Sequence, residues 1–237
     1  MAIGHLVLEM RFVKGILKMK EVSTSILNIE KNKEAEIIMN LEKSKTDYFH
    51  IDVMDGKFVE KNTYNKMKEI SSYIKRISNL PQDIHLMVND VKTAINDFLA
   101  VEPNIITFHL EACKDENEVF EIINYIKQNS CKVGIAVKPN TNIEKVYKYL
   151  PYVHMCLVMT VEPGKGGQTL ISDMVKKVEI LKKYIEENNI GIDIEVDGGI
   201  NLATCERVKE AGADILVSGT AILMAKNYKD IIDELKK

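Results

Sequence analysis

The stretch of sequence that decides the fold is Phe49-His50-Ile51-Asp52-Val53-Met54-Asp55-Gly56. Side chains alternate between the two faces of a β-strand, so His50, Asp52 and Met54 share one face and apolar residues occupy the other. A parallel strand that is covered on both faces reads instead as a continuous apolar run. An imidazole and a carboxylate on one face therefore indicate a strand whose carboxyl end points toward a site.

Eight short β-rich runs recur along the chain, at residues 22–27, 48–53, 84–88, 105–110, 132–137, 155–159, 192–196 and 215–218. Helix-like stretches rich in Glu, Lys, Ile and Leu lie between them, including residues 29–44, 64–77, 116–129, 172–187 and 203–211. Strand and helix alternating eight times predict an α/β protein with a (β/α)8 TIM barrel. We expect a single catalytic barrel domain over residues 21–237.

A doubly wound open sheet shares the alternation of strands and helices and is the competing architecture. The polar residues at the ends of several runs favour the barrel, because the carboxyl ends of barrel strands converge on one site. In the third run, His85 and Met87 alternate with apolar neighbours, and in the seventh run Asp197 follows Val196.

Composition places the chain among globular proteins and excludes several functions. The 237 residues are 46% hydrophobic and 28% charged, and 32 Lys and Arg stand against 35 Asp and Glu. A net charge of -3 gives no bulk attraction to nucleic acid or to an anionic membrane. The four cysteines are scattered and form no Cys-x-x-Cys pair, which is typical of a reducing cytoplasm. We expect residues 1–20 to be an N-terminal extension, with Met19 as a candidate initiator.

Four side chains on three runs are candidate metal ligands: His50, Asp52, His85 and Asp197. A single histidine on a strand is more often a core residue, and Asp before Gly-Gly is often a turn residue. Two imidazoles and two carboxylates facing one interior would carry a heavy desolvation cost without a partner. A divalent cation is such a partner, and nitrogen and oxygen ligands suit Zn, Fe, Co or Mn.

Other polar residues of the runs receive weaker assignments. His109 and Glu111 share a face of the fourth run, and we expect them to support the ligands or to touch the substrate. Asp193 and Glu195 lie deeper than Asp197 and are expected to be structurally paired. Neither His5 nor His154 is given a functional role.

Three glycine-rich turns follow late runs, beginning at Pro163, Asp197 and Ser218. A glycine backbone can approach an oxyanion closely, and a helix that starts at Thr220 would present its N-terminus to phosphate. Each turn alone is ordinary turn chemistry, but successive late strands ending this way match the usual phosphate site of these barrels. The expected substrate contacts are Ser25, His50, His85, Gly164, Lys165, Gly166, Gly167, Asp197, Gly198, Gly199, Gly219 and Thr220.

Taken together, these segments resemble the ribulose-phosphate 3-epimerase family. The resemblance runs from about residue 22 to the C-terminus. The matching segments are residues 25–27, 50–56, 83–88, 158–164, 166–168, 195–200 and 218–222. The resemblance implies a TIM barrel that holds one divalent metal ion on His50, Asp52, His85 and Asp197. It also implies interconversion of ribulose 5-phosphate and xylulose 5-phosphate through an enediolate in the pentose phosphate pathway, and a homo-oligomer.

The sequence departs from the family pattern in two loops. Glu60 and Lys61 stand where the family usually has Pro-Asn, and Lys165 replaces a frequent Phe. Neither departure affects a proposed ligand, but both loops would face the substrate. A 3-epimerase of a longer ketose phosphate, such as allulose 6-phosphate, is therefore an alternative.

Two functions of other classes fit the sequence less well. A decarboxylase on a related barrel would carry Asp-x-Lys-x-x-Asp at the third strand, where this chain has Asp83-Ile84-His85-Leu86-Met87-Val88. A non-catalytic barrel that binds phosphosugar or metal would explain the glycine turns but not two opposed carboxylates.

Inversion at C3 of a 2-ketose needs an acid and a base on opposite faces of that carbon. Asp52 and Asp197 are the candidates for this pair, with Asp52 as the base when ribulose 5-phosphate is the substrate. Met54, Met87 and Met159 are candidates for an apolar, polarizable cap on the intermediate, and ordinary packing is the alternative for them.

Overall fold

The structure, a computed structural model, describes residues 19–30 and 32–237. Eight strands close into a barrel in chain order, and every neighbouring pair is parallel. The predicted TIM barrel is thereby confirmed. Most of the expected N-terminal extension, including His5, lies outside the described residues, while Met19 and Lys20 precede the first strand.

The eight strands are short and nearly all their residues are buried. Their bounds are β1 Glu21–Ser25, β2 Tyr48–Met54, β3 Gln82–Met87, β4 Ile105–His109, β5 Lys132–Val137, β6 Met155–Met159, β7 Asp193–Asp197 and β8 Ile215–Ser218. Three of the eight agree to the residue with the runs seen in the sequence, and the others shift by one or two residues at an end.

Helices connect the strands and cover the barrel. Their bounds are α1 Glu34–Lys43, α2 Tyr64–Ile77, α3 Val91–Leu99, α4 Glu116–Gln128, α5 Asp173–Glu187, α6 Cys205–Glu210, α7 Thr220–Leu223 and α8 Tyr228–Lys236. Two segments are 3-10 helices, Leu110–Ala112 and Ile143–Tyr152. The buried faces of the longer helices pack against the outward-facing residues of the strands in one large apolar core.

Local chemistry explains where the helices begin. The side chain of Asp90 caps α3 by accepting a hydrogen bond from Thr93 N, and Asp115 caps α4 in the same way through Glu118 N. The helix expected from residue 29 begins only at Glu34, because Asn32 adopts a left-handed backbone conformation with φ of 69° that a helix does not continue through.

The two ends of the barrel interior differ in polarity. Ile105, Met155 and Ile215 pack together at the amino ends of β4, β6 and β8. Polar and charged side chains fill the middle and the carboxyl end, which places the candidate site where the strands finish. In the described part of the chain, no helix is both long and apolar enough to cross a bilayer.

Candidate active site

The register of β2 and β3 brings the first three candidate ligands together. Asp52 lies opposite His85 in the ladder, and His50 lies opposite Asp83. Asp197 ends β7, which is separated from β2 by β8 and β1 around the barrel. The carboxylates of Asp52 and Asp197 therefore approach the centre from different sides.

The four side chains form one compact cluster. His50 Nε2 lies 3.4 Å from Asp52 Oδ1 and 3.8 Å from Asp197 Oδ2. His85 Nδ1 lies 3.3 Å and 3.6 Å from the same two oxygens. One ligand atom from each residue lies within 4.8 Å of the other three. Ligands bound about 2.1 Å from a single cation stand roughly 3 to 3.5 Å apart, so the spacing fits a metal ion.

Unpartnered nitrogens support this fit. Among the described residues, His50 Nε2 and His85 Nδ1 are buried and have no hydrogen-bond partner. A buried polar atom without a partner costs free energy, and a cation bound between these nitrogens and the carboxylates would supply it. The cluster could therefore hold a metal ion through two nitrogens and two oxygens.

The pKa shifts of the two histidines indicate that the cluster attracts positive charge. Burial opposes the charged form of His50, yet the charges of Asp83 and Asp52 outweigh burial and raise the pKa of His50 well above its usual value. Burial likewise opposes the protonation of His85, and the carboxylates of Asp197 and Asp52 raise its pKa. Without a metal ion, protons would therefore collect at the positions that a cation would occupy.

His50 is supported from below by a second carboxylate. Asp83 Oδ2 lies 2.5 Å from His50 Nδ1 and also accepts a hydrogen bond of 2.9 Å from Ser23 Oγ. The carboxylate fixes the proton of His50 on Nδ1, which leaves Nε2 free for a ligand. Burial opposes the ionisation of Asp83, but the positive charge of His50 outweighs it and lowers the pKa of Asp83.

Glu195 lies in the same layer of the interior. Its Oε1 is 3.9 Å from His50 Nδ1, and neither carboxyl oxygen has a hydrogen-bond partner among the described residues. Burial and the charge of Asp83 raise the pKa of Glu195 well above its usual value, which favours the neutral form. Glu195 therefore lies close to Asp83 and His50 but forms no hydrogen bond to them, so its expected structural pairing is one of proximity.

His85 is supported by a different group. Its Nε2 lies 2.9 Å from His109 Nε2, and His109 Nδ1 lies 3.2 Å from Glu111 Oε2. β4 ends at His109, so Glu111 belongs to a 3-10 helix and does not share a strand face with His109 as the sequence suggested. Burial lowers the pKa of His109 to about 4, and despite burial the bonded His109 lowers the pKa of Glu111 to about 2.

A cavity of about 350 Å³ opens above the cluster. His50 and His85 do not line it, because both are fully buried beneath Asp52 and Asp197. The remaining candidate residues all line it, namely Ser25, Asp52, Met54, Met87, Met159, Gly164, Lys165, Gly166, Gly167, Asp197, Gly198, Gly199, Gly219 and Thr220.

Two glycines at the rim of the cavity cannot be replaced without strain. Gly198 has a φ of 118°, and a Cβ there would lie 2.2 Å from Val161 Cγ2. Gly199 has a φ of 72°, and a Cβ there would lie 2.4 Å from the backbone nitrogen of Leu170. The turn after β7 therefore exposes backbone to the cavity in a conformation that only glycine adopts freely.

The methionines lie at the level of the carboxylates. Met54 and Met87 pair across β2 and β3 and pack with Leu27, while Met159 pairs with Asp197 across β6 and β7. All three line the cavity although their exposed fractions are 1%, 1% and 2%. They form an apolar wall next to the two carboxylates.

Sequence reasoning missed polar residues that also line the cavity. Asn28, Gln168 and Asn201 belong to it. Gln168 Nε2 donates to the carbonyl oxygens of Glu162 and Lys165 at 2.7 Å and 2.8 Å, which fastens the loop after β6. A signal for Asn28 existed, because it follows the Ser25-Ile26-Leu27 segment directly.

Comparison with known proteins places the chain in a family. The sequence model of the Ribulose-phosphate 3 epimerase family matches residues 21–223. A ribulose-phosphate 3-epimerase of Methanocaldococcus jannaschii is 38% identical over 92% of this chain and 91% of its own. A ribulose-phosphate 3-epimerase of Bacillus subtilis is 33% identical over 92% of this chain and 99% of its own. The structure of a 3-keto-L-gulonate-6-phosphate decarboxylase from Vibrio cholerae shares the fold, with a TM-score of 0.69 and 9% sequence identity. The match covers 92% of this chain and 95% of the decarboxylase chain.

Proposed function

This chain belongs to the ribulose-phosphate 3-epimerase family, and from that premise we propose that it interconverts ribulose 5-phosphate and xylulose 5-phosphate by inverting C3. The observation that carries the proposal is the cluster of two carboxylates and two histidines beneath a cavity rimmed by glycine turns. Such an enzyme is an isomerase of the carbohydrate epimerase type that acts in the pentose phosphate pathway.

A divalent ion held by His50, Asp52, His85 and Asp197 would act as a Lewis acid that stabilises negative charge on the C2 and C3 oxygens of the substrate. The nitrogen and oxygen donor set is compatible with Zn, Fe, Co or Mn. The unpartnered nitrogens of both histidines support this assignment.

Asp52 and Asp197 are proposed to act on opposite faces of C3. One carboxylate removes the C3 proton, and the other carboxyl group returns a proton to the opposite face. Burial alone would raise the pKa of Asp52, but the charge of His50 and hydrogen bonding to it lower the pKa, which favours the ionised form that a base must have. Ser25 Oγ donates to Asp52 Oδ2 at 2.9 Å and orients the carboxylate. Asp197, on the far side of β8 and β1, would protonate the opposite face, and the roles reverse for xylulose 5-phosphate.

The glycine turns are proposed to bind the phosphate. Backbone N–H groups in turns with positive-φ glycines, as at Gly167, Gly198 and Gly199, form concave anion sites that need no side-chain cation. The contacts would come from Gly166, Gly167, Gly198, Gly199, Gly219 and Thr220, which all line the cavity. Met54, Met87 and Met159 would exclude water from the planar intermediate between these turns and the carboxylates.

Steady-state kinetics on one metal-loaded preparation test the proposal. We expect the highest kcat/KM with ribulose 5-phosphate, a lower value with allulose 6-phosphate, and little turnover of unphosphorylated ribulose. A preference for allulose 6-phosphate would move the substrate to a longer ketose phosphate. Binding of these sugars without any C3 exchange would show that the barrel is a non-catalytic binding protein.

We also propose that the protein is a cytoplasmic homo-oligomer without nucleic-acid or membrane partners. Family membership supports the assembly, and the absence of disulfides among Cys113, Cys131, Cys156 and Cys205 supports a reducing compartment. Light scattering on purified protein should give a mass of at least twice 26.9 kDa, and a mass of one chain would contradict the assembly.

A further inference from the structure

We propose that His109 and Glu111 are positioning residues that fix the tautomer of His85 and so prepare its Nδ1 to bind a cation. The inference rests on the metal site of the proposed function. It gives a positioning role to two residues that are not among the four candidate ligands. The direction in which each N–H group points decides the tautomer of His85.

A histidine nitrogen that binds a metal ion must carry no proton. His85 Nδ1 faces Asp52 Oδ1 at 3.3 Å and Asp197 Oδ2 at 3.6 Å, so this nitrogen is the one aimed at the cluster. A neutral imidazole has a single N–H group. The proton of His85 therefore has to reside on Nε2, which lies 2.9 Å from His109 Nε2.

Two imidazole nitrogens at this distance need one donor and one acceptor. If His85 Nε2 donates, His109 Nε2 accepts and the proton of His109 resides on Nδ1. His109 Nδ1 then donates to Glu111 Oε2, which lies 3.2 Å away. In the opposite arrangement, the lone pair of His109 Nδ1 would face a carboxylate oxygen, which repels it. The carboxylate of Glu111 thus selects the tautomer that leaves His85 Nδ1 free.

Glu111 is itself held from outside the barrel. Its Oε1 accepts hydrogen bonds from the backbone nitrogen of Lys138, at 2.8 Å, and from Thr141 Oγ1. Lys177 Nζ donates to the carbonyl oxygens of Lys138, Pro139 and Thr141, which secures the loop after β5. One oxygen of the carboxylate is therefore committed to this loop and the other to His109.

The arrangement parallels the support of His50, whose Nδ1 meets Asp83 directly at 2.5 Å. Each candidate ligand histidine is thus backed by a carboxylate, directly for His50 and through a second imidazole for His85. Partners of this kind orient ligand histidines and raise their basicity, and their loss typically weakens metal binding about 10- to 100-fold.

Glu111→Gln tests the inference with little change in shape. The glutamate carboxylate accepts hydrogen bonds on both of its oxygens. In glutamine, an NH2 donor replaces one of these oxygens, so either the bond from His109 or the bonds from Lys138 and Thr141 must be lost. We expect Zn²⁺ affinity, measured by competition with a chelator, to fall about 10- to 100-fold. In the metal-free protein, at a pH high enough to leave His85 neutral, ¹⁵N NMR of the histidine rings should show His85 leaving the tautomer protonated on Nε2. Glu118→Gln is the matched control, since Glu118 is partly buried and accepts a hydrogen bond from the backbone nitrogen of Lys114 instead of from the histidine cluster.

A second pair of variants separates positioning from packing. His109→Gln keeps an oxygen that can accept the His85 proton, whereas His109→Leu does not, so Zn²⁺ affinity should fall several-fold less in the glutamine variant. Equal losses in the two variants would assign His109 to packing and overturn the inference, as would wild-type affinity and tautomer in Glu111→Gln. If the wild-type protein binds no divalent ion, the metal site of the proposed function fails instead.

Discussion

The two sides of the barrel mouth are built in different ways. On the side of β2, β3 and β7, buried side chains converge on one point, and His50 and His85 each have a further partner behind them. On the side of the late loops, glycine turns present backbone instead, and two glycines of the turn after β7 leave no room for a Cβ. The first side depends on the chemical identity of its atoms and the second on its shape, so they should fail under different substitutions.

Removal of the metal ion should produce the largest effect, because it takes away the element around which the first side is arranged. Loss of several kcal/mol of charge stabilisation corresponds to at least about a thousandfold loss of kcat. Dialysis against a chelator, metal analysis and assay with ribulose 5-phosphate check this, and added Mn²⁺ or Zn²⁺ should restore the rate. Full turnover by protein shown to contain no metal ion would break the assignment.

Gly199→Ala should damage the second side by shape alone. A methyl group at this position would lie 2.4 Å from the backbone nitrogen of Leu170, and the backbone there has a φ of 72°, which alanine rarely adopts. We expect the free energy of unfolding to fall by about 1–3 kcal/mol, and KM for the phosphorylated sugar to rise. Metal content should be unchanged, which separates the two sides of the mouth.

Gly191→Ala is the control for this variant, because a Cβ at Gly191 would have no heavy atom within 4 Å. Denaturant unfolding and steady-state kinetics of both variants decide the outcome. If Gly199→Ala matches the control in stability and in KM, the turn after β7 does not form part of the phosphate site.

Lys165→Phe should have the smallest effect. Lys165 lies in the exposed loop after β6, and an exposed charge contact is worth about 0.2–1 kcal/mol. We expect KM for ribulose 5-phosphate to rise less than about fivefold with kcat unchanged. A much larger rise would show that a side-chain charge, rather than backbone, carries phosphate binding.

The fold was predictable because strand-like and helix-like segments alternate along the chain, and the ends of three strands are sharply marked. β5, β6 and β8 are apolar or β-branched runs between polar or glycine-rich segments, and periodicity finds both ends. α3, the 3-10 helix Ile143–Tyr152 and α8 had no prediction, since they are short and lie among residues that also suit loops. Proline inside the 3-10 helix, at Pro151, adds to that ambiguity.

The cluster of four candidate ligand residues was predictable because alternation along each strand fixes the face of a side chain. Their partners were not. Whether His109 meets His85 depends on the stagger between β3 and β4, in which His85 lies opposite Thr107. The role of Asp83 depends in the same way on its position opposite His50. Alternation within one strand carries no information about the register between strands.

The central claim is that Asp52 and Asp197 serve opposite faces of C3. The most direct test follows C3–H exchange separately from net epimerisation, in single turnovers in deuterated water with metal-loaded Asp52→Asn and Asp197→Asn. We expect inversion to fall about 10²- to 10⁴-fold in both variants. Each variant should still exchange the proton of one epimer, and the two variants should retain opposite epimers. Epimerisation at the wild-type rate by Asp197→Asn that retains its metal ion would contradict the claim.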